Sequence, residues 1–84
     1  MPRVYPREDG HIYLKPGDYA FDKDLGHWIV RPPVTRSHSG GIPNHKVIEH
    51  EDGTITVTPS ILLTGLTPEE SYHGYLERGI WRSA

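Results

Sequence analysis

The apolar positions of this chain fall in short runs, each closed by proline or glycine. Eight Pro and nine Gly punctuate 84 residues, a spacing that forbids long helices. Residues 1–10 read as an N-terminal arm with Pro2, Pro6 and a turn at Asp9-Gly10. His11-Ile12-Tyr13-Leu14 is a strand candidate closed by Pro16-Gly17, and residues 18–26 read as polar and irregular. His27-Trp28-Ile29-Val30 is a second strand, stopped by Pro32-Pro33, and residues 34–44 form a Gly/Ser/Pro loop.

The sharpest local signal is residues 45–58, where two β-branched runs flank Asp52-Gly53. A two-residue turn there pairs Glu51 with Thr54, His50 with Ile55, Glu49 with Thr56 and Ile48 with Val57. It gathers Ile48, His50, Ile55 and Val57 on one apolar face. A three-residue turn pairs Glu49 with Ile55 and Ile48 with Thr56, mixing polar and apolar groups on both faces. Because a one-residue slip flips every side chain, the two-residue register is expected, with His50 on the apolar face.

Pro59 cannot donate to a sheet ladder, so the second strand ends or bends there, and Ser60-Ile61-Leu62-Leu63 resumes as a buried run. Thr67-Pro68-Glu69-Glu70 carries a helix-start pattern, with Thr67 as N-cap, Pro68 as first residue and Glu70 as box partner. His73-Gly74 limits that helix to about one turn. Glu77-Arg78-Gly79 reads as a three-residue hairpin loop, pairing Leu76 with Ile80 and Tyr75 with Trp81. His73, Tyr75 and Trp81 then share one face. The chain is expected to be mainly β: one small domain over residues 1–84, built on two hairpins with at most one short helical turn.

Composition narrows the means of stabilising so short a chain. Only 35% of residues are apolar and there is no cysteine, which excludes disulfides and zinc–thiolate sites. No apolar run approaches the roughly 20 residues of a membrane span, and no signal peptide opens the sequence. The expected setting is therefore cytoplasmic, without a membrane partner. The net charge is −2, and the basic residues are spread singly among acids. That pattern argues against nucleic acid, although Arg31 and Arg36 in one loop suit an isolated phosphate. An edge strand of the 45–58 hairpin must be paired or covered, which points to a homo-oligomer.

Six histidines are the main chemical resource. His45 and Glu49 share strand parity, and His50 faces the other way. A divalent-metal reading therefore rests on His50 with His73, and on His45, and needs the two hairpins to pack face to face. The competing reading is rim histidines with ordinary hydrogen bonds. Ser60, His73 and Glu77 are the residues a nucleophilic triad would use, but no GxSxG turn accompanies them. Trp81 suits either the core or an interface. No assembled catalytic motif is present, and no catalytic residue is assigned.

Three segments together carry a resemblance: His27-Trp28-Ile29-Val30-Arg31-Pro32-Pro33, Gly53-Thr54-Ile55-Thr56-Val57-Thr58-Pro59-Ser60-Ile61, and the hairpin from Tyr72-His73-Gly74-Tyr75 to Gly79-Ile80-Trp81. They resemble a family of small proteins of tailed phages and prophages, some of which carry the label ammonia monooxygenase. The resemblance spans roughly residues 27–82. Distant members are Cys-rich and look like zinc sites. Here Tyr72 stands where their cysteine precedes the histidine, so zinc binding is not implied.

The resemblance implies a shared fold, motif positions at Ser60, His73, Gly74, Tyr75 and Trp81, and a setting in the cytoplasm of a phage-infected host. In that setting the expected role is binding. The protein would block or sequester a host protein or a small signalling ligand, including components of host defence. Binding residues are expected at Ser60, His73, Tyr75 and Trp81, and at Arg36 and His38 of the Gly/Ser loop. The alternatives are a His-based metal site or small metal-dependent enzyme, and a virion or assembly component.

Overall fold

The computed structural model describes residues 3–84; Pro2 of the expected arm lies outside them. Among the described residues seven strands form two antiparallel sheets, so the chain is a small, mainly β protein. The first sheet holds β1 (Tyr19–Asp22), β2 (His27–Val30) and β3 (Gly40–Gly41) in the order β1-β2-β3. The second holds β4 (Lys46–Glu49), β5 (Ile55–Leu63), β6 (Tyr72–Glu77) and β7 (Ile80–Ser83) in the order β4-β5-β6-β7. Tyr19, Trp28, Val30 and Ile42 from the first sheet and its flank meet Ile55, Val57, Ile61 and Leu76 of the second in one apolar cluster. Removing that area from water is the dominant favourable term in folding.

β2 forms where its β-branched, aromatic run places it. The expected strand at His11–Leu14 does not form: this segment follows the Asp9-Gly10 turn without pairing into a sheet. Instead the residues read as irregular supply β1. Asp22 sets this up. Its Oδ1 accepts the N–H groups of Asp24 (2.9 Å) and Leu25 (3.1 Å), and its carbonyl accepts that of Gly26 (2.8 Å). Gly26 takes φ +75°, closing a tight turn that pairs Tyr19 with Val30 and Phe21 with Trp28.

Both hairpins adopt the register opposite to the one expected. At Asp52-Gly53 the loop is three residues long, Glu51 to Gly53, with Glu49 opposite Ile55 and Ile48 opposite Thr56. Asp52 Oδ1 accepts from both the N–H (3.0 Å) and the hydroxyl (2.6 Å) of Thr54, and Gly53 alone in the loop is left-handed, at φ +87°. Val47, Ile55 and Val57 then point inward, whereas Ile48 and His50 face out. The second hairpin is the reverse case. Arg78 (φ +46°) and Gly79 (φ +78°) make a two-residue turn with two left-handed residues, pairing Glu77 with Ile80 and Leu76 with Trp81. Tyr72, Gly74, Leu76 and Trp81 consequently share the inner face, and His73, Tyr75 and Glu77 the outer one.

β5 runs through Pro59 without stopping. The Thr58–Pro59 peptide is cis, and the pairing with β6 shifts between Val57 and Ile61, which is the expected bend. The run after it is not uniformly buried: Ile61 is enclosed and Leu62 is exposed. The helix-start pattern gives one 3-10 turn, Pro68–Glu70. Thr67 precedes it without capping through its side chain, and Glu70 Oε2 reaches back to the N–H of Leu66 at 2.8 Å.

Gly74 allows the inner face to close. A Cβ there would lie 2.5 Å from the Tyr72 hydroxyl and 2.6 Å from the Arg82 carbonyl oxygen. The Tyr72 ring meets the Trp81 ring edge-on at 5.5 Å, and the Trp81 indole N–H donates to the Gly17 carbonyl at 3.0 Å. Trp81 therefore ties β7 to the loop before β1.

Candidate functional site

The residues singled out from sequence divide into three places. Ser60, in the β5 bend, collects two of the histidines. Its hydroxyl lies 3.0 Å from His73 Nε2, and its carbonyl accepts from His45 Nε2 at 3.0 Å. His45 donates there when Nε2 carries a proton. Tyr75 continues the same outer face, with the Arg82 guanidinium 4.8 Å from its ring centre and Arg82 paired to Glu77. That carboxylate holds the Arg82 charge more firmly than usual, chiefly by hydrogen bonding.

Among the described residues this cluster is a Ser–His contact without an orienting acid. Glu77 lies four residues along β6 from His73, roughly 13 Å at strand rise, and is committed to Arg82. Nor does the metal trio assemble. His50 sits beside Thr54 at one end of β5, where its Nε2 is 2.6 Å from the Thr56 hydroxyl, and His73 lies opposite Leu62 near the other. That separation, eight residues from Thr54 to Leu62, is roughly 26 Å along the strand. Among the described residues no three His, Asp or Glu side chains converge on a common point. The expected pairing of His50 with His73 fails because the hairpins join edge to edge in one sheet, which puts both histidines on its outer face but at opposite ends of β5. His50 instead borders an acidic rim with Glu49, Glu51, Asp52 and Arg78. There the Thr54 hydroxyl and N–H hold the Asp52 carboxyl below its ordinary range.

Arg36 and His38 lie on the loop after β2, beside a polar cup of about 430 Å³ with Arg31, Ser37, Ser39 and Glu70. Trp81, expected among the binding residues from its motif position and suited by type to core or interface, is partly buried against the core.

The third place carries none of the binding residues expected from sequence. The N-terminal arm crosses from one sheet to the other. The Val4 N–H donates to the Tyr19 carbonyl at 2.8 Å, and the Arg3 guanidinium lies 4.9 Å from the Trp28 ring centre and 5.0 Å from that of Tyr5. Arg3 Nη1 is 2.7 Å from Glu49 Oε1, which answers the one carboxylate that β4 turns toward the inner side. A groove of about 470 Å³ opens beside this latch. Its walls are Tyr5, Phe21, Trp28 and Val47, and its charges are Arg3, Lys23 and Glu49. The Phe21 and Trp28 rings meet edge to face at 5.6 Å, so Phe21 stands against Trp28 at the groove wall. A sequence signal for this site existed in Tyr5, Phe21 and Trp28, but only the β1–β2 pairing and the arm bring them together.

Fold and surface thus define a two-sheet β protein with an aromatic groove and a basic cup among the described residues. Family models, curated proteins and solved structures give no match to this chain.

Proposed function

We propose that this protein acts by binding and not by catalysis, and that the groove under its N-terminal arm holds a small ligand with a flat apolar body. The observation that carries the reading is the groove itself: about 470 Å³ of concave space walled by three aromatic rings, with charged groups at its margin. Small-molecule sites are of this size and have this mixture of apolar wall and few polar groups. Lys23, which has no ion-pair partner among the described residues, favours a ligand bearing an anionic substituent. In the phage setting that the motif resemblance implies, such a protein would sequester a small signalling molecule of the host, an anti-defence role.

Tryptophan fluorescence tests this directly. A panel of nucleosides and of indole and quinoline carboxylates is titrated into the Trp81→Phe protein, which leaves Trp28 as the reporter. A binder should quench or shift Trp28 emission and raise the melting temperature, and Phe21→Ala should abolish both while keeping the β-sheet spectrum. A panel that moves neither signal would refute the proposal.

A second reading, an assembly component, draws on the outer face of the second sheet, where Ile48, Leu62 and Ile80 are 44%, 62% and 70% exposed. Sedimentation as a function of concentration decides it, and a monomer at every concentration removes it.

A further inference from the structure

We infer that the cup beside the β2–β3 loop is a second, separate site, which takes a phosphate group carried by a small molecule. The argument begins with Arg31. Its guanidinium is held by neutral groups only: Nε donates to the Ser37 carbonyl (3.1 Å), Nη1 to that of Leu14 (2.9 Å) and Nη2 to that of Thr35 (3.3 Å). A guanidinium has five N–H donors in a fixed fork, so two remain uncommitted after these three bonds. No carboxylate lies within ion-pair distance of Arg31 among the described residues, and its positive charge stands uncompensated on a preorganised frame.

The frame is rigid. Ser37 is 3% exposed, and its hydroxyl donates to the Pro32 carbonyl at 2.7 Å. That fixes the loop bearing Arg36, His38 and Ser39, all of which border the cup. Arg36 has no hydrogen-bond or ion-pair partner among the described residues. One carboxylate faces the cup: Glu70 is bonded to the Leu66 N–H and lies 3.8 Å from His38 Nε2. Two guanidiniums against one carboxylate leave a net positive cup with free donors on both arginines and on Ser39. Planar forks with spare N–H groups match the tetrahedral oxygens of phosphate better than a carboxylate's single pair, because a phosphate monoester offers three terminal oxygens. The cup and the aromatic groove share no lining residue, so either can fail without the other.

The probe is inorganic phosphate, titrated into 15N-labelled protein against sodium chloride at equal ionic strength. Saturable shifts are expected at Arg36, His38 and Ser39 and at the Arg31 Nε–H, with a dissociation constant on the order of 1 mM for so small a ligand. Arg36→Gln should weaken binding about tenfold, the worth of one charge-assisted hydrogen bond. Glu70→Gln should tighten it, since the amide oxygen still accepts from Leu66 while the negative charge is gone. Unchanged amide spectra outside the loop establish that both variants fold. Shifts that chloride reproduces, or an affinity that neither substitution moves, would overturn the inference. A nucleoside 5′-monophosphate binding more tightly than phosphate, through the same residues, places the group on a larger ligand. Phosphate alone at equal strength assigns free phosphate as the ligand and overturns the small-molecule carrier.

Discussion

Arg3 fastens the arm to both sheets, and Arg3→Met removes the fastening while keeping an apolar stem of similar length. Two cation–π contacts, to Tyr5 and Trp28, are worth about 0.5–2 kcal/mol each, depending on desolvation. The ion pair to Glu49, whose carboxylate is half exposed, adds at most about 1 kcal/mol. Against these stands the buried Arg3 Nε, which finds no acceptor among the described residues, a cost of about 1 kcal/mol that the substitution relieves. The balance is a loss of about 2 kcal/mol, or roughly 8–16 °C in melting temperature for a domain of this length. Circular dichroism melts of the parent, Arg3→Met, Glu49→Gln and the double variant form a cycle. The coupling between the two positions should be about 0.5–1 kcal/mol. Amide exchange should quicken along β4 before β6, because β4 is an edge strand whose inward carboxylate has lost its partner. If Arg3→Met melts within about 2 °C of the parent and the coupling is zero, the arm does not hold the β4 register and this account of the fold is wrong.

Gly74→Ala drives a Cβ into the Tyr72 ring and the Arg82 carbonyl, and urea unfolding should show a loss of about 2 kcal/mol or more, comparable to overpacking a core. Arg78→Asn replaces a left-handed arginine with the residue that best tolerates that conformation before glycine, and should raise the unfolding midpoint by the equivalent of about 0.5 kcal/mol. Asp52 has its carboxyl pulled down in the folded state by the Thr54 hydroxyl and N–H. Its contribution is therefore present above the unfolded aspartate value of about 3.9 and is lost as pH falls through the folded value. Thr54→Val should flatten that acid limb in melts collected from pH 5 to about pH 2.

Element type was legible where local chemistry decides it. The β-branched run His27–Val30, the Pro68 turn and the positions of both hairpin turns follow from residue identity within a few positions. β1 was missed because its signal is an aspartate side chain closing on backbone N–H groups, not a run of apolar residues. The two registers differ from expectation for different reasons. In the second hairpin only Gly79 is expected at positive φ, whereas Arg78 takes φ +46° as well and shortens the loop. In the 45–58 hairpin alternation within the strand pair alone counts Glu49 opposite Ile55 against the three-residue loop. The fold resolves that mismatch with Arg3, which lies far away in sequence and reaches Glu49 at 2.7 Å.

What surrounds each site follows the same division. Ser60 and His73 are motif positions in the sequence, and the β5–β6 pairing does bring them within 3.0 Å, whereas His50 lies on the same face at the far end of β5. The aromatic groove could not be read, because it is assembled from the arm, the β1–β2 hairpin and β4. The basic cup was half legible: Arg31 and Arg36 share a loop, but Glu70 enters from the other sheet's connection. By itself the sequence determined a small β protein, its turn positions and its lack of cysteine chemistry, because these depend on backbone propensity and composition. Only the tertiary structure decided which face of each strand is buried and which distant charges meet. Those choices depend on the apolar area and the charges of both sheets together, a sum that no single segment contains.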